Sequence, residues 1–282
     1  MIQYLYLGRV AYEPGLRLQA ELSALVSAGR LANVLLLLEH PPVLTLGRNA
    51  SRANVLASDE MLAGRGMTLH EINRGGDVTY HGPGQLVGYP LFDLRSLKNS
   101  NGARLGPVDF VRGMEEVLIR VCAQYGVPAA RIAGLTGVWC GVQASGEPTA
   151  AASTGPPGQE KKIAAIGIHV AKGITSHGFA FNVSTDLRDF QLIVPCGIAD
   201  HGVTSLSEQL NNPARVPALE SVAHQAARQF GLVFAQQVLA VDSIDTLRAQ
   251  AVTRGFPAED TPLKAPAEIE RLRGVPAHPV RA

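Results

Sequence analysis

The sequence predicts an α+β protein, with mixed or antiparallel sheets and helices packed on them. Apolar runs of strand length follow one another without an intervening helix, which argues against a doubly wound parallel sheet. Two longer segments carry their apolar residues at helical spacing instead. The 282 residues are 46% hydrophobic and only 17% charged, against roughly 25% charged in an average globular chain. A folded body with a core is therefore expected, and wholesale disorder is excluded.

Along residues 15–28, Leu18, Leu22, Leu25 and Val26 recur at helical spacing, and 34–38 and 43–46 read as strands around the His40-Pro41-Pro42 break. The opening is thus helix, strand, turn, strand. A strand is expected at 86–94. A second helix is expected over 107–125, where Val111, Met114, Leu118, Val121, Cys122 and Tyr125 share a face, with Pro107 and Asp109 suited to its start and Gly126 to its end. Cys122 lies on that stripe and reads as a core residue, as does Cys140 beside Trp139. Strands follow at 137–142, 163–170 and 174–183, then a helix over 217–230. The small, polar, turn-forming stretch 144–160 reads as a flexible insertion. Residues 1–240 are expected to form the catalytic domain. The proline-rich remainder, 241–282, is expected to hold one short helix and otherwise to be a loosely ordered extension.

Charge excludes some partners. With 25 basic and 24 acidic side chains, net charge +1 and no basic run, neither nucleic acid nor an anionic membrane is expected. The longest apolar run, 34–38, is stopped by Glu39, far short of the roughly 18 residues of a spanning helix. Residues 1–8 lack the features of a secretory signal, so a cytoplasmic location is expected. Three cysteines, none in a CxxC pair, argue against a disulfide framework and a zinc cluster, and no metal is expected.

Three segments carry chemistry. The first is Arg74-Gly75-Gly76-Asp77-Val78-Thr79-Tyr80-His81-Gly82-Pro83-Gly84-Gln85, whose glycines permit close backbone approach to a ligand and whose Arg74, Thr79 and His81 add polar handles around an opening. A tight hairpin is the plainer reading, but a hairpin needs only one or two glycines. The segment matches neither GxGxxG nor GxxxxGK[ST]. The second is Lys162, heading the apolar run Lys162-Ile163-Ala164-Ala165-Ile166-Gly167 in a chain with 20 Arg and 5 Lys. Lysine, unlike arginine, can release its proton when desolvated, so a proton carrier and a surface cation are both open; Lys161, beside the polar insertion, reads as surface charge. The third is Pro195-Cys196-Gly197, a cysteine on a turn, where a buried loop thiol and a reactive thiolate both fit.

Together with HPPVLTLGR (40–48), LTGVW (135–139), HGFAFNV (177–183) and PCGI (195–198), these segments make the chain resemble the lipoyl (octanoyl) transferases, in order from about Tyr4 to Phe230. The resemblance implies the fold of the biotin and lipoate protein ligase catalytic domains. It implies transfer of an octanoyl group from octanoyl-acyl carrier protein to a specific lysine of a lipoyl domain, in the E2 subunits of 2-oxoacid dehydrogenases or the glycine cleavage H protein, as the first step of endogenous lipoylation. It assigns Cys196 as nucleophile, through an octanoyl-cysteine thioester, and Lys162 as its acid/base partner. It places acyl binding on Arg74, Gly75, Gly76, Asp77, Val78, Thr79, Tyr80 and His81, on Ala165, Ile166 and Gly167, and on Gly178, Phe179 and Ala180, with His177 and Gln85 in support. No cofactor is implied. Backbone N–H groups at Gly75, Gly76 or the Cys196 loop are candidates to hold the oxyanion. Phe181 stands where the family often has Leu, which bears on the shape of the acyl tunnel. An ATP-dependent lipoate or biotin-type ligase would leave Cys196 without a task, and a non-catalytic binder of lipoyl domains or acyl carrier protein would need neither Cys196 nor Lys162.

Overall fold

The computed structural model describes residues 1–99, 101–142, 160–194 and 201–253. The chain begins with a strand, β1 (Ile2–Arg9), ahead of the expected first helix, α1 (Tyr12–Ser27), which returns the chain so that β2 (Asn33–Glu39) lies parallel beside β1. Residues Val34, Leu35, Leu36, Leu37 and Leu38 are all fully buried. Leu35 and Leu37 enter one core and Val34, Leu36 and Leu38 another, because side chains alternate along a strand and this sheet is covered on both faces.

The His40-Pro41-Pro42 break moves the chain into a second sheet. There β3 (Val43–Leu46) pairs parallel with β4 (Thr68–Glu71) and antiparallel with β5 (Val78–His81), while α2 (Asp59–Gly64), capped by the Ser58 hydroxyl, links β3 to β4. β6 (Gln85–Leu91) returns to the first sheet. It ends three residues before the expected limit because Asp93 accepts from Arg95 N–H and closes a 3₁₀ turn at Leu94–Ser96. Helix α3 (Pro107–Gln124) starts at its proline and buries Met114, Leu118, Val121 and Cys122 as expected. Then come β7 (Ala130–Ile132), β8 (Leu135–Cys140), β9 (Lys161–Ala171), β10 (Ile174–Asn182), β11 (Gly202–Val203), α4 (Leu206–Leu210), α5 (Leu219–Val233), β12 (Val238–Ala240) and α6 (Ile244–Thr253).

Among the described residues the first sheet has nine strands in the order β12-β1-β2-β6-β10-β9-β8-β7, with β11 added on β9. β12, β1 and β2 run parallel, β6 to β8 pair antiparallel, and the sheet is mixed as expected. α3 and α5 cover one face, and α1 and α6 the other. Beyond residue 240 the expected short helix, α6, buries Leu247 and Ala251 in one core with Leu5 and Leu22, and Gln250 bonds Gln3. Apolar burial holds this part of the expected loose extension to the body. The rest, 254–282, and the insertion but for Glu160, lie outside the described residues. Cys122 and Cys140 are core residues, their thiols pushed up by burial, Cys140 to about 12. Among the described residues no helix is long and apolar enough to cross a membrane, and no group of three His, Cys, Asp or Glu is placed to hold a metal.

Candidate active site

The two sheets meet over the glycine-rich segment. Gly75 N–H donates to Ile168 O (2.9 Å), tying the segment to β9, and Arg48 N–H and Asn49 N–H donate to Arg74 O and Gly76 O, tying it to the end of β3. Both neighbours are glycines where the contact is closest: a Cβ on Gly167 would lie 2.6 Å from Gly75 O, and one on Gly47 would lie 2.3 Å from Gly76 O. Neither distance is compatible with a side chain, so these glycines let the segment nest between the sheets. The Gly75 N–H is spent on Ile168 and is removed from the oxyanion candidates. Arg74 is buried rather than standing as a handle at the opening. Its guanidinium donates to Thr45 O (2.6 Å), to Thr45 Oγ1 (2.9 Å) and to Gly75 O (3.1 Å). Asp77 accepts from Asn54 Nδ2 (2.6 Å) and from Val78 N–H (2.7 Å).

Between these layers lies a cavity of about 410 Å³. Arg74, Gly75, Gly76, Asp77, Val78, Thr79 and His81 line one side, and Ala165, Ile166 and Gly167 of β9 with His177, Gly178, Phe179 and Ala180 of β10 line the other. Lys162 lines it too, beside Gly134, Leu135 and Thr136. Tyr80 does not reach the cavity: strand alternation turns it into the core of the second sheet, where its ring meets Phe190 at 5.3 Å. Phe181 is fully buried in the main core and is not part of the lining. Sequence reasoning missed Tyr12, Asn49, Val87 and Tyr89, which carry no local signal. Leu135 and Thr136 belonged to a noted motif without being assigned to the site.

Two neutral imidazoles, His81 and His177, line the cavity, and a third, His40, stands behind them against Tyr89 and His81. His40 Nδ1 bonds Val10 O (2.6 Å); a carbonyl only accepts, so Nδ1 carries the proton and Nε2 accepts from the Tyr89 hydroxyl (2.7 Å). Gln85 Nε2 donates to Asn182 Oδ1 and Tyr80 O, which turns its Oε1 toward His81 Nδ1 at 2.8 Å and leaves His81 Nε2 an acceptor. His177, at φ 55°, donates its backbone N–H to Gln19 Oε1 (2.8 Å), and its Nε2 bonds Asn73 Oδ1 (2.7 Å). Burial pushes His40 down to about 4. Burial and then the neighbouring His40 push His81 to about 3, and burial and then the Arg74 charge push His177 to about 4. All three are uncharged at neutral pH, and burial holds the Tyr12 and Tyr89 phenols protonated.

Lys162, the second residue of β9, pairs with Trp139, its Nζ 4.7 Å from the centre of the indole. β11 pairs parallel with Lys161 and Lys162, and Lys162 O accepts from Thr204 N–H (3.0 Å). The sequence-predicted nucleophile, Cys196, lies outside the described residues.

The model of the lipoyl protein ligase A/B catalytic domain family matches residues 11–231. An octanoyltransferase of Acidobacterium capsulatum is 57% identical over 257 residues, 90% of this chain and 98% of that protein, and one of Koribacter versatilis is 48% identical over 96% of this chain and 97% of that protein. Among solved structures, a bipartite lipoate protein ligase from Thermoplasma acidophilum superposes with a TM-score of 0.62 at 18% identity, over 90% of this chain and 91% of that one. Lipoate-protein ligase A bound with ATP gives 0.61 at 15% identity, over 90% and 94%. The structural likeness is one of fold.

Proposed function

Given that the chain belongs to the lipoyl protein ligase A/B catalytic domain family and is an acyltransferase of its octanoyltransferase branch, we propose that it moves an octanoyl group from octanoyl-acyl carrier protein to a lysine of a lipoyl domain, through a thioester on Cys196 with Lys162 as proton carrier. The observation that carries this reading is the placement of Lys162 on the cavity wall where β11, the described strand that follows the Cys196 segment, pairs with it. His201, five residues after Cys196, packs its ring on Trp139 at 5.2 Å, and Trp139 faces Lys162.

The cavity suits the substrate. Ala165, Ile166, Phe179, Ala180 and Val87 offer apolar contact to an acyl chain, at roughly 0.8 kcal/mol per buried methylene. In the first half-reaction Lys162 takes the Cys196 thiol proton, the sulfur bonds to the thioester carbonyl carbon, and the tetrahedral adduct then expels the carrier's thiolate, which takes that proton from Lys162 and leaves the lysine neutral. Gly76 lines the cavity and its N–H makes no hydrogen bond among the described residues, which favours it over Gly75 as an oxyanion donor. In the second half the acceptor lysine arrives as an ammonium, its ordinary pKa being about 10.4. Lys162 takes that proton, the amine displaces the Cys196 thiolate, and the thioester becomes an amide. That change is downhill and needs no nucleotide. The H protein and the E2 lipoyl domains are the acceptor classes, and the cytoplasm is the proposed location.

The test is intact-mass analysis after mixing with octanoyl-acyl carrier protein without ATP. The expected product is an octanoyl adduct on Cys196, labile to hydroxylamine and discharged by apo lipoyl domain. C196S is expected to abolish the adduct, and K162A to slow transfer by about 100-fold or more. Transfer that occurs only with ATP and free octanoate would overturn the reading in favour of a ligase.

A further inference from the structure

We propose that Trp139 is the positioning residue of Lys162, its indole face holding the lysine ammonium at the cavity wall. The inference rests on Lys162 being the proton carrier proposed above.

Trp139 and Lys162 are direct partners in the β8–β9 register, which puts both side chains on one face of the sheet. The 4.7 Å from Nζ to the ring centre is within the roughly 6 Å of a cation–π contact. The ring cannot swing away: it is 1% exposed, and His201 closes on it edge-on at 68°. The lysine stem is bounded on its other side by Gly137, whose φ is 130° and where a Cβ would lie 3.4 Å from Lys162 Cε. Gly137 N–H is in turn held by the buried carboxylate of Glu115 at 3.0 Å.

A second observation concerns the indole nitrogen. Among the described residues, Trp139 Nε1 is buried and has no hydrogen-bond partner. Burying an unsatisfied donor is costly, and a phenylalanine would line the wall without that cost. The face of the ring accounts for its presence: indole has the strongest attraction for a cation among the aromatic side chains.

Other ionisable groups surround Lys162. Glu160 and Lys161 precede it, Cys140 pairs with Lys161 across the sheet, and His201 lies beyond the ring, 3.7 Å from Glu160. Glu115 stands behind Gly137, and Arg74, His81 and His177 face the same cavity. These groups are unchanged when only the ring's electron density is altered, which isolates the ring's share.

Trp139 is the chain's single tryptophan, so biosynthetic incorporation of 5-fluoro- and 5,6-difluorotryptophan alters this ring alone and weakens its face with little change of shape. The readouts are the pH dependence of octanoyl discharge from the acyl-enzyme to apo lipoyl domain, the ¹⁹F resonance through the same titration, and the melting temperature. The apparent pKa of the discharge step is expected to fall stepwise with fluorination. W139L should mark the limit, at about 0.5 to 1.5 units below the native protein, with W139F between. The ¹⁹F shift should track the same titration and lose that step in K162A. An unchanged pKa across the fluorinated series, with normal melting and with K162A inactive, overturns the role of Trp139 and leaves the proton carrier standing. A K162A enzyme that discharges at the native rate overturns both.

Discussion

Replacing Glu115 is expected to loosen the wall on which Lys162 rests. The carboxylate is fully buried and accepts from Gly137 N–H (3.0 Å), Arg112 Nη1 (2.7 Å) and Arg131 Nε (3.1 Å). The arginine side chains are 46% and 36% exposed, so they rehydrate when the carboxylate is removed, and each ion pair counts for no more than about 1 kcal/mol. The larger loss is the interior Gly137 N–H left without an acceptor, about 1–3 kcal/mol. E115A should therefore cost about 2–4 kcal/mol, and E115Q, which keeps an acceptor for Gly137 but turns its amide N–H₂ toward the two arginines, about 1–2 kcal/mol. At about 2–4 °C per kcal/mol for a domain of this size, E115A should melt some 5–15 °C lower. Calorimetry and urea unfolding supply the stability. Transfer kinetics at a temperature where both proteins are folded should show kcat falling more than KM, because Gly137 borders the lysine stem rather than the substrate. An E115A protein melting within 1 °C of native would refute the reasoning. So would an E115Q protein as damaged as E115A, since charge and not the bond to Gly137 would then be what matters.

Three other outcomes follow from the geometry. G167A places a Cβ 2.6 Å from the backbone oxygen of Gly75, and a loop displaced by the order of 1 Å should cost about 100-fold in transfer; native kinetics in a folded G167A would show that the loop does not seat the acyl group. Y89F removes the hydroxyl that His40 Nε2 accepts from and should cost about 1–3 kcal/mol, measured by urea unfolding at pH 7.5. The third is a pH effect. His40, His81 and His177 have folded pKa values near 4, 3 and 4, below the ordinary 6.5. The unfolded chain therefore takes up protons that the fold refuses. Their stabilisation is complete above pH 6.5 and is lost as pH falls toward 4, at up to about 4 kcal/mol per pH unit for the three together. Stability that stays constant from pH 7 to 5 would contradict the burial of these rings as neutral groups.

What the sequence discloses depends on whether one cause or several act on a residue. The run 34–38 was readable because burial on both faces acts on every position alike, and α3 because a single apolar stripe meets a single core. Neither pattern says which sheet a strand joins, so the separation of β2 from β3 into two sheets was invisible. β1 was missed for a related reason: Ile2 and Leu5 are buried, but Tyr4 and Tyr6 between and beyond them are only partly so, and the alternation is broken. β4 is short and largely exposed, and its pairing with β3 leaves little mark on composition.

The site separates in the same way. Chemistry-bearing side chains in glycine-rich or apolar settings stood out, and most of the noted residues do line one cavity. Local sequence cannot show what a residue's polar atoms are spent on. Arg74 and Gly75 looked available to a ligand, yet the guanidinium is committed to Thr45 and the amide to Ile168. Conversely Tyr89 looked like strand filler and is the donor to His40 Nε2, in the tautomer that Val10 O fixes. His177 shows why: a non-glycine residue in the left-handed region inside a strand is locally disfavoured, and it is held there by Gln19, 158 positions away, and by Asn73, 104 away. Interactions between segments that distant set the geometry of this site, and a periodicity or a motif reports only on neighbours along the chain.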